Sequence, residues 1–379
     1  RQRQMCIRDR YRTVAERIEA RSGALDPSLG LASRAEALAA IEAGEAERGT
    51  RRAVAGFDFT FSIPKSASVL WAVADAGTQT LIADAHHAAV AEVVAFMERE
   101  VAATRAGASG RDGAVAQVDV AGLIATAFDH YDSRAGDPHL HTHVVISNKV
   151  QTVLDGKWRS LDGRPMHAAV VALSELHEAV FADHLTRMLG VSWEARDRGR
   201  DRNPAWVVTG VPEALVKEFS TRARHIDAET DRLIERYVET HGRRPSPATI
   251  MKLRAQATLT TRPEKEVQSL AALTASWRER AGRVLASDAT SWARGVTANE
   301  EPLLLRADDV PLDMIDSLGA DVVATVGEKR STWHRWNLTA EAARQTMAYR
   351  FASTEDREAV VGMVVDAAEA ASLRLTPPE

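Results

Sequence analysis

Two hydrophobic rhythms divide the chain. Apolar and polar positions alternate with period two over 57–62, 114–119, 123–128 and from His141 toward Val153, and such alternation predicts half-buried strands. Helical spacing covers 13–46, where a Gly-containing break at 23–30 predicts two helices. It returns over 66–73, which reads as amphipathic after Pro64, and over 78–103 and 167–189. A Gly-rich turn signal at 107–113 and the run Leu154-Asp155-Gly156-Lys157-Trp158 predict hairpin turns, and 191–194 and 205–208 offer two short strands. Beyond Pro212 nearly everything is helical, broken at 242–247, 260–263 and 302–311. Strands with helices segregated around them predict an α+β fold, an antiparallel sheet with flanking helices, followed by an α-helical region. Residues 1–12 share no pattern with the rest of the chain and are set aside as a sequencing artefact or disordered lead; 13–210 are expected to form the core, and 211–379 the helical region.

The chemistry concentrates in FDHYDSRAGDPHLHTHVVISNKV, which carries His130, His139, His141 and His143. His141 and His143 stand two apart in a β-branched run, so they share one face of a strand. The turn signal Ala135-Gly136-Asp137-Pro138 is short enough for an antiparallel return, which brings His130 across from them. Three imidazoles without a fourth protein ligand leave a coordination position open, the arrangement a catalytic metal needs. Spacing alone also admits an exposed alternating face, and it does not choose between His130 and His139 as third ligand. Pro138 disfavours ladder pairing just before His139 and weakens that residue's claim.

Composition narrows the classes. With a single Cys6 the chain excludes an internal disulfide and a cysteine-based zinc site, leaving histidine and carboxylate as ligands. No run of eighteen or more apolar residues occurs and the Arg-rich start leads into no signal-peptide core, so a cytoplasmic protein without membrane insertion is expected. The net charge of −5 speaks against nucleic-acid binding by bulk charge, and local islands must carry it. Arg196, Arg198, Arg200 and Arg202, flanked by Trp193 and Trp206, form one; Arg243, Arg244, Lys252 and Arg254 form another. Aromatics among cations suit single-stranded nucleic acid, while Asp197 and Asp201 also fit a solvated, charge-alternating loop. Ser62, Lys65, Ser66 and Ser68 fall at a strand-to-helix turn, where free N–H groups, Lys65 and Ser66 are candidates to receive a DNA phosphate, with Arg134 in the histidine hairpin as a further cation. Helix capping by Ser62 and Ser66 is compatible with that role. No Walker loop occurs.

AGFDFTFSIPKSASVLWAV followed by HYDSRAGDPHLHTHVVISNKVQ resembles the MobF-type, TrwC/TraI-like conjugative relaxases of the HUH endonuclease superfamily. The likeness extends through LDGKWRSLDGR, THGRRPSPATIMKLRAQATL and RFASTEDREAVV, from about Arg51 onward. It implies an HUH relaxase-like core and ligation of one divalent metal ion (Mg, Mn or Zn) by His130, His141 and His143, in preference to His139. It gives Asp58 a place beside the histidines, orienting a ligand or accepting the nucleophile's proton. The implied reaction is strand-specific nicking of single-stranded DNA at a transfer origin by a tyrosine hydroxyl, with conjugation accessory proteins as further partners. Family members carry that tyrosine near their N-terminus, often in a cluster. Here Tyr11, Tyr131, Tyr237 and Tyr349 stand alone, and alternation points Tyr131 away from the metal. No catalytic tyrosine is therefore assigned, and the chain is expected to be a fragment without the nucleophile region or a helicase, binding DNA without nicking it. Two other readings compete: a DNA-binding module with a structural His-metal site, and a metal-dependent phosphohydrolase.

Overall fold

The computed structural model describes residues 14–47, 54–107, 115–198, 203–264, 268–297 and 301–375. Tyr11, Arg200, Arg202 and positions 108–113 of the Gly-rich turn lie outside the described residues. The chain forms two compact units, Arg1–Phe57 and Asp58–Glu379. In the first, α1 (Val14–Gly23) and α2 (Leu31–Glu47) pack together, as the break at 23–30 predicts. Arg17 at 2.6 Å and Arg21 at 2.9 Å converge on the fully buried Glu45 carboxylate.

β1 (Gly56–Ser62) leads into the second unit. There follow α3 (Lys65–Val73), α4 (Ala76–Glu100), the antiparallel pair β2 (Ala103–Gly107) and β3 (Val115–Asp119), then β4 (Ala125–Asp132) and β5 (Pro138–Ser147). Two small ribbons, β6 (Val150–Gln151) with β7 (Trp158–Arg159) and β8 (Trp193–Arg196) with β9 (Ala205–Val208), flank the long α5 (Gly163–Leu189). The rest is helical: α6 (Glu213–Glu218), α7 (Thr221–His241), α8 (Pro247–Thr260), α9 (Leu270–Leu285), α10 (Ala289–Thr297), α11 (Leu312–Lys329), α12 (Arg335–Gln345) and α13 (Thr354–Ala370). The expected α+β core with a helical continuation is what forms.

The principal sheet has the order β1-β5-β4, so the His-Thr-His strand is central. Its two faces differ. Val144, Ile146 and Thr142 are buried on one face, where Phe61 of β1 meets the ring of His177 on α5 edge-on at 5.2 Å and His86 of α4 reaches Thr142. The opposite face keeps Asp58, Phe128 and Val145 exposed. α4 is long and apolar enough to cross a membrane, yet Ile82, Ala85, Ala89, Val90, Val93 and Met97 line a buried face of it, as in a core helix.

α3 departs from the amphipathic expectation: Ser66 through Val73 are all buried. A helix enclosed on every side reads as a continuous run of small and apolar residues rather than a stripe. Pro64 occupies its N-cap and no side chain caps it, so neither Ser62 nor Ser66 serves as a cap.

The helices beyond Pro212 pack onto the sheet rather than trailing from it. Trp277 of α9, fully buried, donates its indole N–H to Gly136 O at 2.8 Å. Arg280 reaches the carboxylate of Asp137 at 3.1 Å, and Thr221 N–H donates to the same carboxylate at 2.8 Å. The turn between β4 and β5 is thereby held from outside. Further on, Ile315, Val322, Leu338, Phe351, Val360 and Val364 form a separate apolar cluster among α11, α12 and α13. α12 packs along α5, and an ionic tie adds to that contact: Asp183, buried, accepts from Arg357, from Arg350 at 3.2 Å and from Phe351 N–H at 3.2 Å.

Candidate metal centre

The β4–β5 register sets the site. His130 stands directly opposite His141, and Phe128 opposite His143, so the three imidazoles share one face. Their ring centroids are 5.1 Å (His130 to His141), 5.0 Å (His130 to His143) and 5.3 Å (His141 to His143) apart, close to an equilateral triangle. One nitrogen from each ring lies within 4.8 Å of the others. Three nitrogens bound tetrahedrally to one ion would be about 3.4 Å apart, a difference that small ring rotations close. Three imidazoles suit divalent zinc, copper, nickel or iron, and the donor set fits a single ion.

Hydrogen bonds on the far side of two rings fix which nitrogen faces the centre. His143 Nδ1 lies 2.9 Å and 3.0 Å from the two carboxylate oxygens of Asp58 and 3.2 Å from Thr60 Oγ1. A carboxylate only accepts, so Nδ1 carries the proton and Nε2 keeps its lone pair. His141 Nδ1 donates to His139 O at 2.7 Å, with the same result. Burial first, together with the charges of His130 and His143, lowers the His141 pKa, while the bond to His139 O acts the other way. Neutral imidazole is the ligating form.

His139 plays a different part. Its ring stacks on His141 at 4.4 Å and 27°, and it stands outside the converging trio. Burial pushes its pKa down to about 3. Between His130 and Asp132 the ladder register shifts, so the hairpin's entry no longer follows simple alternation. That bulge is invisible in the spacing, which is why alternation alone gave His139 an equal claim.

The expected phosphate contacts fare unevenly. Ser66 is fully buried and its Oγ accepts from Val208 N–H at 3.0 Å, so its hydroxyl ties α3 to β9 instead of facing solvent. Lys65 Nζ donates to Pro138 O at 2.6 Å. Burial pulls its pKa down to about 8, against the nearby Asp137 and with the help of Arg280. Lys65 thus anchors the start of β5. Arg134, in the turn, is exposed. Of the first basic island, Arg196 is bound to Glu194 and to Val211 O. Trp193 and Trp206 pack against Ala179, Ala182 and Met347. Trp193, Trp206 and Arg196 are thereby engaged within the fold, while Arg198 is exposed. Among the tyrosines, Tyr131 stacks on Trp71 at 5.8 Å and 15°, Tyr237 stacks on His241, and Tyr349 packs against the C-terminal apolar cluster.

Behind His141 and His143 runs a network that sequence reasoning missed. Asp129 and Thr142 are cross-strand partners on the buried face. Thr142 Oγ1 donates to Asp129 Oδ1 at 2.6 Å and accepts from His86 Nε2 at 2.9 Å, while His87 Nε2 donates to Asp129 Oδ2 at 2.9 Å. The signal available was polar residues at Asp129 and Thr142, where alternation calls for the core face.

Several known proteins are similar to this chain. The multifunctional conjugation protein TraI of Escherichia coli, and its counterpart in strain K12, are 29% identical over 187 residues, 47% of this chain. This chain spans only 10% of the length of those relatives. Among solved structures, the conjugative relaxase TrwC in complex with oriT DNA in its copper-bound form is 27% identical, covering 62% of this chain and 73% of that one, with a TM-score of 0.49. The metal-free complex of TrwC with oriT DNA is 28% identical over 62% of this chain and 75% of that one, also at 0.49. The TrwC relaxase family profile matches residues 11–284, from the first helical unit to the helix that holds the histidine hairpin, and the chain belongs to that family.

Proposed function

We propose that this chain is the metal-binding, DNA-engaging part of a conjugative relaxase, acting in the cytoplasm on single-stranded DNA at a transfer origin. The observation that carries this reading is the convergence of His130, His141 and His143 on an open sheet face, with Asp58 hydrogen-bonded to His143. These histidines would hold one divalent ion, and of Mg, Mn and Zn it is Zn that three imidazoles suit best, with Nε2 of His141 and His143 turned inward. Such an ion, when bound, polarises a non-bridging phosphate oxygen and offsets charge that develops on it. Asp58 fixes the ring of His143 and strengthens it as a donor. The half-exposed carboxylate is also a candidate to receive a proton from an attacking hydroxyl. Arg134 is a candidate phosphate contact, and Lys65 acts by holding the start of β5. We assign no attacking tyrosine among the described residues, because Tyr131, Tyr237 and Tyr349 are each committed to a packing contact. Conjugation accessory proteins are natural partners for such a protein.

The test is metal titration of the wild type, His130→Ala and His141→Ala, followed by binding and cleavage of a single-stranded oligonucleotide. Both substitutions should abolish stoichiometric binding of the ion, and DNA affinity should fall steeply with salt. Retained binding in His130→Ala would move the third ligand elsewhere. Covalent attachment of DNA to the present chain would overturn the assignment of no tyrosine.

A further inference from the structure

The open face of the sheet carries an aromatic ring that packing does not explain. Phe128 is 53% exposed, although the neighbouring aromatics are engaged: Phe61 is buried against His177, and Tyr131 lies on Trp71. The ladder pairs Phe128 with His143 and Thr126 with Val145, so Phe128 and the 39% exposed Val145 share the face of the histidines. Along β4, Phe128 stands two residues before His130, a rise of about 7 Å. An apolar shelf therefore adjoins the imidazole triangle.

We propose that Phe128 is a stacking platform for a nucleobase of the DNA strand whose phosphate engages His130, His141 and His143. The proposal rests on the relaxase reading and adds to it a base-binding subsite. Every nucleobase presents a π face, and proteins that hold single strands pair cationic or metal contacts to phosphate with aromatic contacts to bases. In order along β4 and its turn, the chain offers an aromatic at Phe128, an imidazole at His130 and an exposed guanidinium at Arg134, base chemistry followed by phosphate chemistry. Strand addition by a second polypeptide is the competing use of an exposed β4 edge. The register shift between His130 and Asp132, and the carboxylates of Asp129 and Asp132, oppose it, since bulges and charges are the devices that protect edges.

The experiment uses the full chain, loaded with Mn2+, and an oligodeoxythymidylate carrying one 2-aminopurine, whose fluorescence is quenched by stacking. Phe128→Ala should weaken binding roughly tenfold, about 1.4 kcal/mol, and remove the quenching. Phe128→Tyr should restore both, while Phe128→Leu, which keeps apolar area without a π face, should not. With an abasic oligonucleotide the wild type and Phe128→Ala should bind alike. Mn2+ affinity in the absence of DNA should be the same in all four proteins, which also shows that each variant keeps its histidine site. If the wild type binds the base-bearing oligonucleotide and Phe128→Ala binds it equally, or if Leu replaces Phe without loss, the stacking proposal is overturned. Concentration-dependent dimerisation abolished by Phe128→Ala would also overturn it, in favour of strand addition. A wild type that binds no DNA at all sinks the relaxase reading instead.

Discussion

Removing the Asp58 carboxylate isolates the contribution of a group that touches a proposed ligand, His143, without itself being proposed as one. In Asp58→Ala the ring of His143 loses acceptors at 2.9 Å and 3.0 Å and keeps Thr60 Oγ1 at 3.2 Å. Loss of such an outer partner lowers metal affinity by about 10- to 100-fold. Two features here place the expectation at the lower end. The Asp58 side chain is 54% exposed, so water screens its charge and fills its place, and Thr60 remains as a substitute acceptor. About tenfold, or roughly 1.4 kcal/mol, is the expected loss. Asp58→Asn, which keeps an acceptor oxygen but not the charge, should lie between. The assay is competition for Zn2+ or Mn2+ against a chromophoric chelator, with circular dichroism to confirm the fold and His143→Ala as the reference for losing a ligand outright. An affinity within twofold of wild type would show that Asp58 does not set the His143 ring. A loss as large as that of His143→Ala would make Asp58 a ligand in its own right.

The ion pair between Asp183 and Arg357 is buried on both sides, so Asp183→Asn, which leaves the guanidinium uncompensated, should lower stability by about 3–5 kcal/mol in urea denaturation. Because Arg350 shares the same carboxylate, replacing Asp183, Arg350 and Arg357 together by apolar residues should recover most of that, and a triple variant no better than Asp183→Asn would contradict this account. Glu178 is pushed up to about 7 by burial and by Glu175, against Arg198 and Arg344. Its proton is held more tightly folded than unfolded, so its contribution is fully present below pH 4.5, falls as pH rises, and is lost above about 7. Glu178→Gln should flatten the dependence of the denaturation midpoint over that window, and an unchanged slope would assign the dependence to other groups.

What the sequence disclosed came from local period and turn chemistry. The α1–α2 break, the ends of α7 at Gly242 and α8 near Thr260, and the strand pair carrying the histidines were all readable, because Gly, Pro and β-branched residues act on their own neighbours. The resemblance placed His130 in the trio, and the register then put it opposite His141. Three things were not legible. Ser66 looked like a solvent-facing helix start, yet its partner is Val208, 142 residues away, and no local pattern encodes that. Trp193 beside Arg196 had the composition of a nucleic-acid surface but is used to pack α5 against Met347. The bond of Thr142 to Asp129 depends on register, which a single bulge can change.

The clamp on the turn between β4 and β5 has a consequence for signalling through the molecule. Trp277 and Arg280 hold Gly136 and Asp137, the residues immediately ahead of β5. Energetic coupling between two sites is reciprocal, so whatever occupies the histidines and favours this turn also favours the seated position of α9, by the same factor. A protein that grips or displaces α9 would thereby retune ion affinity at a distance without touching an imidazole.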